Sequence, residues 1–225
     1  MQHHSRIYSL ISLLLAAFAG LFISCSQNLP EVENTDYSVI FEYKNEKDLP
    51  SARLSVFAAS VSDVRRYQTI KITSLETGYY WESQGLTMLE ADSKQWTGCT
   101  NLLAPENEKL PTGTYEITFI NADEKECTLT LDIKYDIDFY DVLLPSLTDV
   151  MTQKRGIEKI AVFDKEHILS YFGDRTEEFK TTRDIWNRWR EAVSYQIIWY
   201  TKDGSVICLT PEKPVSPEQA ENDEL

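Results

Sequence analysis

Few residues in this 225-residue chain could do chemistry. Acid–base catalysis near neutral pH usually needs a histidine beside a nucleophile. Beyond residue 24 there is one histidine, His167. It follows Asp164-Lys165-Glu166, where Asp164 reads as a helix cap and His167 as a first-turn surface residue. Gly-x-Ser-x-Gly, Ser-x-x-Lys, His-Glu-x-x-His and Cys-x-x-Cys spacings do not occur. Asp132, Asp136, Asp138 and Asp141 gather carboxylates as a calcium loop does. The run lacks the glycine and distal Glu of such a loop, so it reads as a solvated strand end. No metal site and no cofactor is expected. The recognition chemistry in the chain is aromatic. Tyr79, Tyr80 and Trp81, with Trp96 nearby in sequence, could stack on a sugar or anchor a partner. In a strand, Tyr79 and Trp81 share one face and Tyr80 takes the other.

Those aromatic residues need strands to hold them. Tyr37, Val39, Phe41 and Tyr43 alternate with polar residues at period two. Leu54 and Val56, Thr69–Thr73 and Gly78–Glu82 repeat the signal in short, β-branched or aromatic stretches. The clearest hairpin is Tyr115–Tyr135, with a polar turn over Asn121–Glu126 and nine residues of alternation from Cys127 to Tyr135. After Tyr135 the pattern changes. Pro145–Arg155 reads as a short helix closed by Gly156, and Gly156–Phe163 as a strand. Asp164 would cap a helix over Lys165–Phe172, with Phe163 and Ile168 as its hydrophobic staple. Phe179–Val193 reads as a longer helix. Tyr195–Thr201 and Ser205–Leu209 form a hairpin through Asp203-Gly204.

Composition bounds the rest. Hydrophobic residues at 42% and aromatics at 12% suffice for a packed core. A net charge of −14 leaves no basic face for phosphate backbones, which excludes nucleic acid as a partner. Charge is nearly absent at the start: Ile7 to Ser24 is uncharged, mostly apolar, and preceded by Arg6. A short positive region, an apolar run and small residues describe a secretory signal. The run stops at Leu21-Phe22-Ile23-Ser24-Cys25-Ser26.

This end resembles the lipobox of bacterial lipoproteins, in which an apolar stretch and a small residue precede an obligatory Cys. The resemblance implies cleavage between Ser24 and Cys25, acyl chains on Cys25, and attachment to the bacterial cell envelope. Phe22 stands where Leu is usual, which resembles the relaxed lipoboxes of spirochaetes. Ser26, rather than Asp, after Cys25 resembles outer-membrane sorting. Several acyl chains anchor firmly, since each buried CH₂ contributes about 0.8 kcal/mol. Export permits disulfides, and three thiols remain: Cys99, Cys127 and Cys208. Cys127 and Cys208 fall on apolar strand faces, while Cys99 lies in a Thr-Gly-Cys-Thr-Asn stretch that reads as a loop. A Cys99–Cys127 bridge is the pairing left open.

Pro111-Thr112-Gly113-Thr114-Tyr115 resembles the turn into a strand found in immunoglobulin-like and carboxypeptidase-regulatory-like bacterial modules. The fold class expected is therefore mainly β with an α+β C-terminal part. Its order is a signal peptide over 1–24, a flexible tether over 25–35 and an immunoglobulin-like β-sandwich over 36–140. A smaller α+β module over 141–211 and a disordered acidic tail over 212–225 follow. The expected function is non-catalytic binding or assembly in the envelope, with a protein partner. The alternative is an envelope hydrolase or carbohydrate-binding accessory protein.

Overall fold

A computed structural model describes residues 32–215, apart from 61–66, 92, 106–107, 177–178 and 180. Ser24, Cys25, the signal segment and residues 216–225 lie outside the described residues. The chain is mainly β. Strands β1 (Val32–Glu42), β2 (Ser51–Ser60), β3 (Tyr67–Ser74), β4 (Tyr80–Gln84), β5 (Thr87–Ala91), β6 (Lys94–Leu103), β7 (Gly113–Asn121) and β8 (Glu126–Ile133) come first. A 3-10 turn over Ile137–Asp141 leads into helix α1 (Leu144–Gln153). Then follow β9 (Ile157–Asp164), β10 (Leu169–Asp174), helix α2 (Thr182–Arg188), β11 (Ala192–Tyr200), β12 (Val206–Leu209) and β13 (Lys213–Pro214).

The strands form two sheets. The nine-stranded sheet runs β10-β9-β11-β12-β1-β2-β6-β5, with β13 beside β11; the four-stranded sheet runs β4-β3-β7-β8. β1 and β12 pair in parallel, with Val39 beside Val206 and Phe41 beside Cys208. The large sheet thus takes strands from both sides of residue 140, where the sequence pattern changes.

Alternation decides which face is buried. Tyr37, Val39, Phe41 and Tyr43 point into the main core, as their period-two spacing predicts. Leu54 and Val56 join them from β2, and Ile70, Ile72, Ile117 and Phe119 meet them from the small sheet. Leu147 and Met151 of α1 close one end. Phe41 sits at that closure, its ring 5.5 Å from Phe139 and 5.1 Å from Tyr140, the latter edge-on. A second cluster, built on Ile160, Val162 and Tyr195, lies under Phe179 and Ile185. Tyr171, Phe179 and Trp189 stack there with centroids 4.9–5.4 Å apart. Ile197 packs against both clusters and joins them along one sheet face.

Several local expectations give way to tertiary pairing. Lys165–Phe172 is not a helix; β9 and β10 form a hairpin there. Asp164 does act as a cap, but its Oδ1 accepts from the N–H groups of Glu166 and Ile168 across a turn. His167 takes the left-handed conformation (φ 59°) that closes this turn, and Ile168 is 61% exposed instead of stapled. The Phe179–Val193 helix shrinks to α2. A capping box between Thr181 and Asp184 starts it, and β11 takes the chain from Ala192 for pairing with β9. Thr87–Ala91 and Lys94–Leu103 form β5 and β6, which the sequence pattern did not announce. Cys99 is a buried strand residue opposite Val56, not a loop thiol. Its neighbour Gly98 explains the loop-like composition. A Cβ at 98 would lie 2.0 Å from the Val56 carbonyl oxygen and 2.9 Å from Phe57 Cδ1.

The thiols of Cys99, Cys127 and Cys208 are all free, so no Cys99–Cys127 bridge forms. β1 begins at Val32, inside the stretch expected as tether. The start of the expected tail is ordered: β13 pairs with β11, and Val215 is buried in the second cluster.

Phe41→Ala should remove the ring on which the α1 closure packs. We expect a loss of about 3–5 kcal/mol in urea-unfolding stability, read by tryptophan fluorescence.

Candidate functional site

Where β8 ends, the chain is pinned to β1. The Tyr37 hydroxyl donates to the Lys134 carbonyl and accepts from the Lys134 N–H, both at 2.9 Å. Asp136 then caps the 3-10 turn through the Asp138 N–H. Its other carboxylate oxygen accepts from the Lys154 ammonium just past α1, which lies 5.5 Å over the Phe139 ring. On the opposite side the β11–β12 hairpin turns through Asp203-Gly204. Asp203 Oδ1 accepts from Thr201 Oγ1 at 2.7 Å, Ser205 Oγ at 2.9 Å and the Ser205 N–H at 3.2 Å. Ser38 of β1 donates to the Gly204 carbonyl and ties the hairpin to the sheet.

Between these segments lies a pocket of about 750 Å³. Its charged lining is Lys134, Lys154, Lys202, Asp136 and Asp203, with Tyr135, Phe139 and Val206 as apolar wall. Both acids are already engaged. The Lys154 ammonium beside Asp136, and then the Asp138 N–H, hold its carboxyl below the usual value. The Thr201 hydroxyl, followed by the Ser205 donors, does the same for Asp203. Outside the lining, Asp132 pairs with Lys134. Among the described residues Lys202 has no ion-pair partner. The pocket thus brings three lysines of an acidic chain to one concavity, two of them paired with aspartates.

A second, smaller groove of about 200 Å³ opens on the outer face of the large sheet. Trp96, Phe57 and Leu89 line it with Ser38, Ser55 and Asp36. Gly98 leaves room for the Phe57 ring across β6. An aromatic wall beside hydroxyl and carboxylate groups suits a sugar ring.

The aromatic residues singled out from sequence do not form one platform. Trp81 packs into the main core. Its ring stacks on Tyr115 at 6.2 Å, and its indole N–H donates to the Leu103 carbonyl at 2.7 Å. Tyr79 meets Trp81 edge-on at 5.9 Å. Tyr80 is 54% exposed, with its hydroxyl donating to Glu82. Trp96 belongs to the other sheet. The acidic run is divided among lysines: Asp132 with Lys134, Asp136 with Lys154, Asp141 with Lys109. Among the described residues no three His, Cys, Asp or Glu side chains gather as metal ligands.

His167 stacks on Phe163 at 4.6 Å, and its Nε2 meets Glu212 Oε1 at 2.8 Å. Ser194 Oγ donates to the other Glu212 oxygen at 2.9 Å. Serine, acid and histidine meet here, but the acid stands between the other two. Hydroxyl activation needs the imidazole on the hydroxyl, so this order does not produce a nucleophile.

Comparison with known protein families, characterised proteins and solved structures finds no match to this chain.

The three pocket lysines were missed from sequence because each is an ordinary surface residue in its own segment. Only the β1–β12 pairing and the end of β8 bring them together.

Asp136 and Asp203 titrate lower folded than unfolded. Their bonds therefore contribute stability above the unfolded value of about pH 4, and lose it as pH falls through the lowered folded values. We expect thermal midpoints to drop on acidification, and Asp136→Asn and Asp203→Asn to drop less steeply over that window. Parallel pH profiles of variants and parent would disprove this.

Proposed function

We propose that this chain is an exported bacterial envelope lipoprotein, cleaved between Ser24 and Cys25 and held by acyl chains on Cys25. It acts as a non-catalytic binding or assembly module. The observation that carries the reading is the uncharged run Ile7–Ser24 ending at Cys25, only a few residues before a packed β-rich fold begins at Val32. A fold so close to its anchor faces the envelope with its loops and grooves. Its acidic surface repels anionic headgroups, so the lipid has to supply the attachment. Ser26 after Cys25 favours outer-membrane over inner-membrane placement, and the partner is an envelope protein.

Two preformed concavities on hydrogen-bonded sheets support binding over turnover, as does the Ser194–Glu212–His167 order. In architecture we read β1–β8 as an immunoglobulin-like sandwich whose larger sheet is extended by strands of an α+β part. Support comes from β1 and β2 facing β3 and β7 across one core, and from α1 and α2, the helices among the described residues, lying beyond residue 140. A second reading, a carbohydrate-binding accessory protein, is favoured by the Trp96–Phe57 groove.

Metabolic palmitate labelling tests the anchor. Cys25→Ser should lose the label and accumulate as uncleaved precursor; labelled, processed Cys25→Ser protein would overturn it. Glycan-array binding tests the second reading. Trp96→Ala should abolish any neutral-glycan signal, whereas Tyr80→Ala should leave it intact; an unchanged Trp96→Ala signal removes the groove from the argument.

A further inference from the structure

We propose that the pocket between β8, α1 and the β11–β12 turn binds a small ligand bearing one carboxylate or phosphate group on a ring-sized body. This deepens the reading of the chain as a binding module and rests on it.

The charge balance is the first ground. Across the whole chain 36 acids outnumber 22 lysines and arginines, yet here three lysines match three aspartates, Asp136 and Asp203 in the lining and Asp132 paired with Lys134 beside it. The second ground is where those aspartates spend their oxygens. Asp136 is held by the Asp138 N–H and Lys154, and Asp203 Oδ1 takes three donors within its own turn. Neither needs a ligand cation. The third ground is spare donor capacity. An ammonium has three N–H donors, so Lys134 and Lys154 each keep donors beyond their single aspartate partners. Lys202 has no acidic partner among the described residues and supplies a whole ammonium. An oxyanion entering the pocket therefore meets donors without displacing an existing ion pair.

Volume and wall define the rest of the ligand. About 750 Å³ falls in the range of small-molecule sites and far exceeds what a bare oxyanion fills. Tyr135, Phe139 and Val206 give the remaining space an apolar side against which a ring can lie. The acidic exterior selects against extended polyanions, because their remaining charges would face carboxylates. A small ligand with a single anionic group keeps its charge at the lysines and avoids that repulsion.

The test uses the full chain, purified in neutral detergent and titrated by calorimetry with glucuronate, glucose 6-phosphate, glucose and inorganic phosphate. We expect one or both acidic sugars to bind in about the millimolar range or tighter, with glucose at least about tenfold weaker. The two acidic sugars distinguish carboxylate from phosphate as the anionic group, and added NaCl should weaken binding. Lys202→Gln and Lys154→Gln should each lower affinity several-fold, whereas Lys71→Gln on the small sheet should not. Lys202 stands on an exposed turn, so Lys202→Gln should keep the parent melting midpoint. Glucose or bare phosphate binding as tightly as the acidic sugars would overturn the proposal. So would lysine variants that bind like the parent, no binding of any probe up to about 10 mM, or a loss that follows Trp96→Ala instead of the lysines. Cys25→Ser protein run beside the parent separates the two readings. Labelled, processed Cys25→Ser that still binds acidic sugar sinks the lipid anchor and leaves the pocket standing.

Discussion

The parallel pairing of β1 with β12 is the constraint on which the rest of the molecule depends. It sets Val39 beside Val206 and Phe41 beside Cys208. Parallel neighbours need a long crossover, and here everything from β2 to β11 lies within it. β1 is consequently bonded on both sides, to β2 and to β12. It also carries the inward side chains on which the small sheet and α1 pack. One ladder thus joins the two halves of the chain, puts strands of both into the larger sheet, and fixes the distance between the β11–β12 turn and the end of β8.

The pocket follows from that ladder. Lys134 is held by the Tyr37 hydroxyl on β1, and the Asp203-Gly204 turn by the Ser38 hydroxyl on the same strand. β1 therefore positions both walls. Lys154 arrives from the third side because α1 must bury Leu147 and Met151 against the core. Three lysines come to line one pocket as a by-product of closing the core, while Asp136 caps a turn and Asp203 is held within its own turn. Asp136 and Asp203 are engaged by donors of the fold itself, Lys134 and Lys154 keep spare N–H donors beyond their aspartates, and Lys202 has no ion-pair partner among the described residues.

At the far end of the sheet Glu212 is likewise placed by the pairing of the chain end. Glu212 reaches back to Ser194 and His167 because β13 pairs with β11 and Val215 enters the second cluster. The contacts hold the chain end against the sheet. The imidazole stacks on Phe163 and its Nε2 meets one Glu212 oxygen, while the Ser194 hydroxyl donates to the other.

Much of the β structure was legible from residue order alone. Period-two alternation marks the buried face of β1 and the β7–β8 hairpin, because strand side chains alternate whatever they pair with, and Asp203-Gly204 marks its own turn by residue type. Pro145 and Gly156 likewise bracket α1. The failures have a common cause. Asp164 satisfies backbone N–H groups equally well at a helix start and in a hairpin turn, and β9 supplied the partner that chose between them. The aromatic residues after Phe179 fit a helical stripe, but the open edge of β9 claimed residues from Ala192 onward for a strand. β6 was invisible because Gly98 answers to the Phe57 ring across the sheet, not to its neighbours in sequence. Of the candidate site, sequence supplied Trp96 but not its groove, and none of the pocket lysines. By itself the sequence determined alternation, turns, net charge and the apolar run ending at Cys25, all of which act over a few residues. Strand partners, sheet membership and the convergence of Lys134, Lys154 and Lys202 were decided only by tertiary structure. They depend on burying faces far apart in the chain, and no local spacing encodes that.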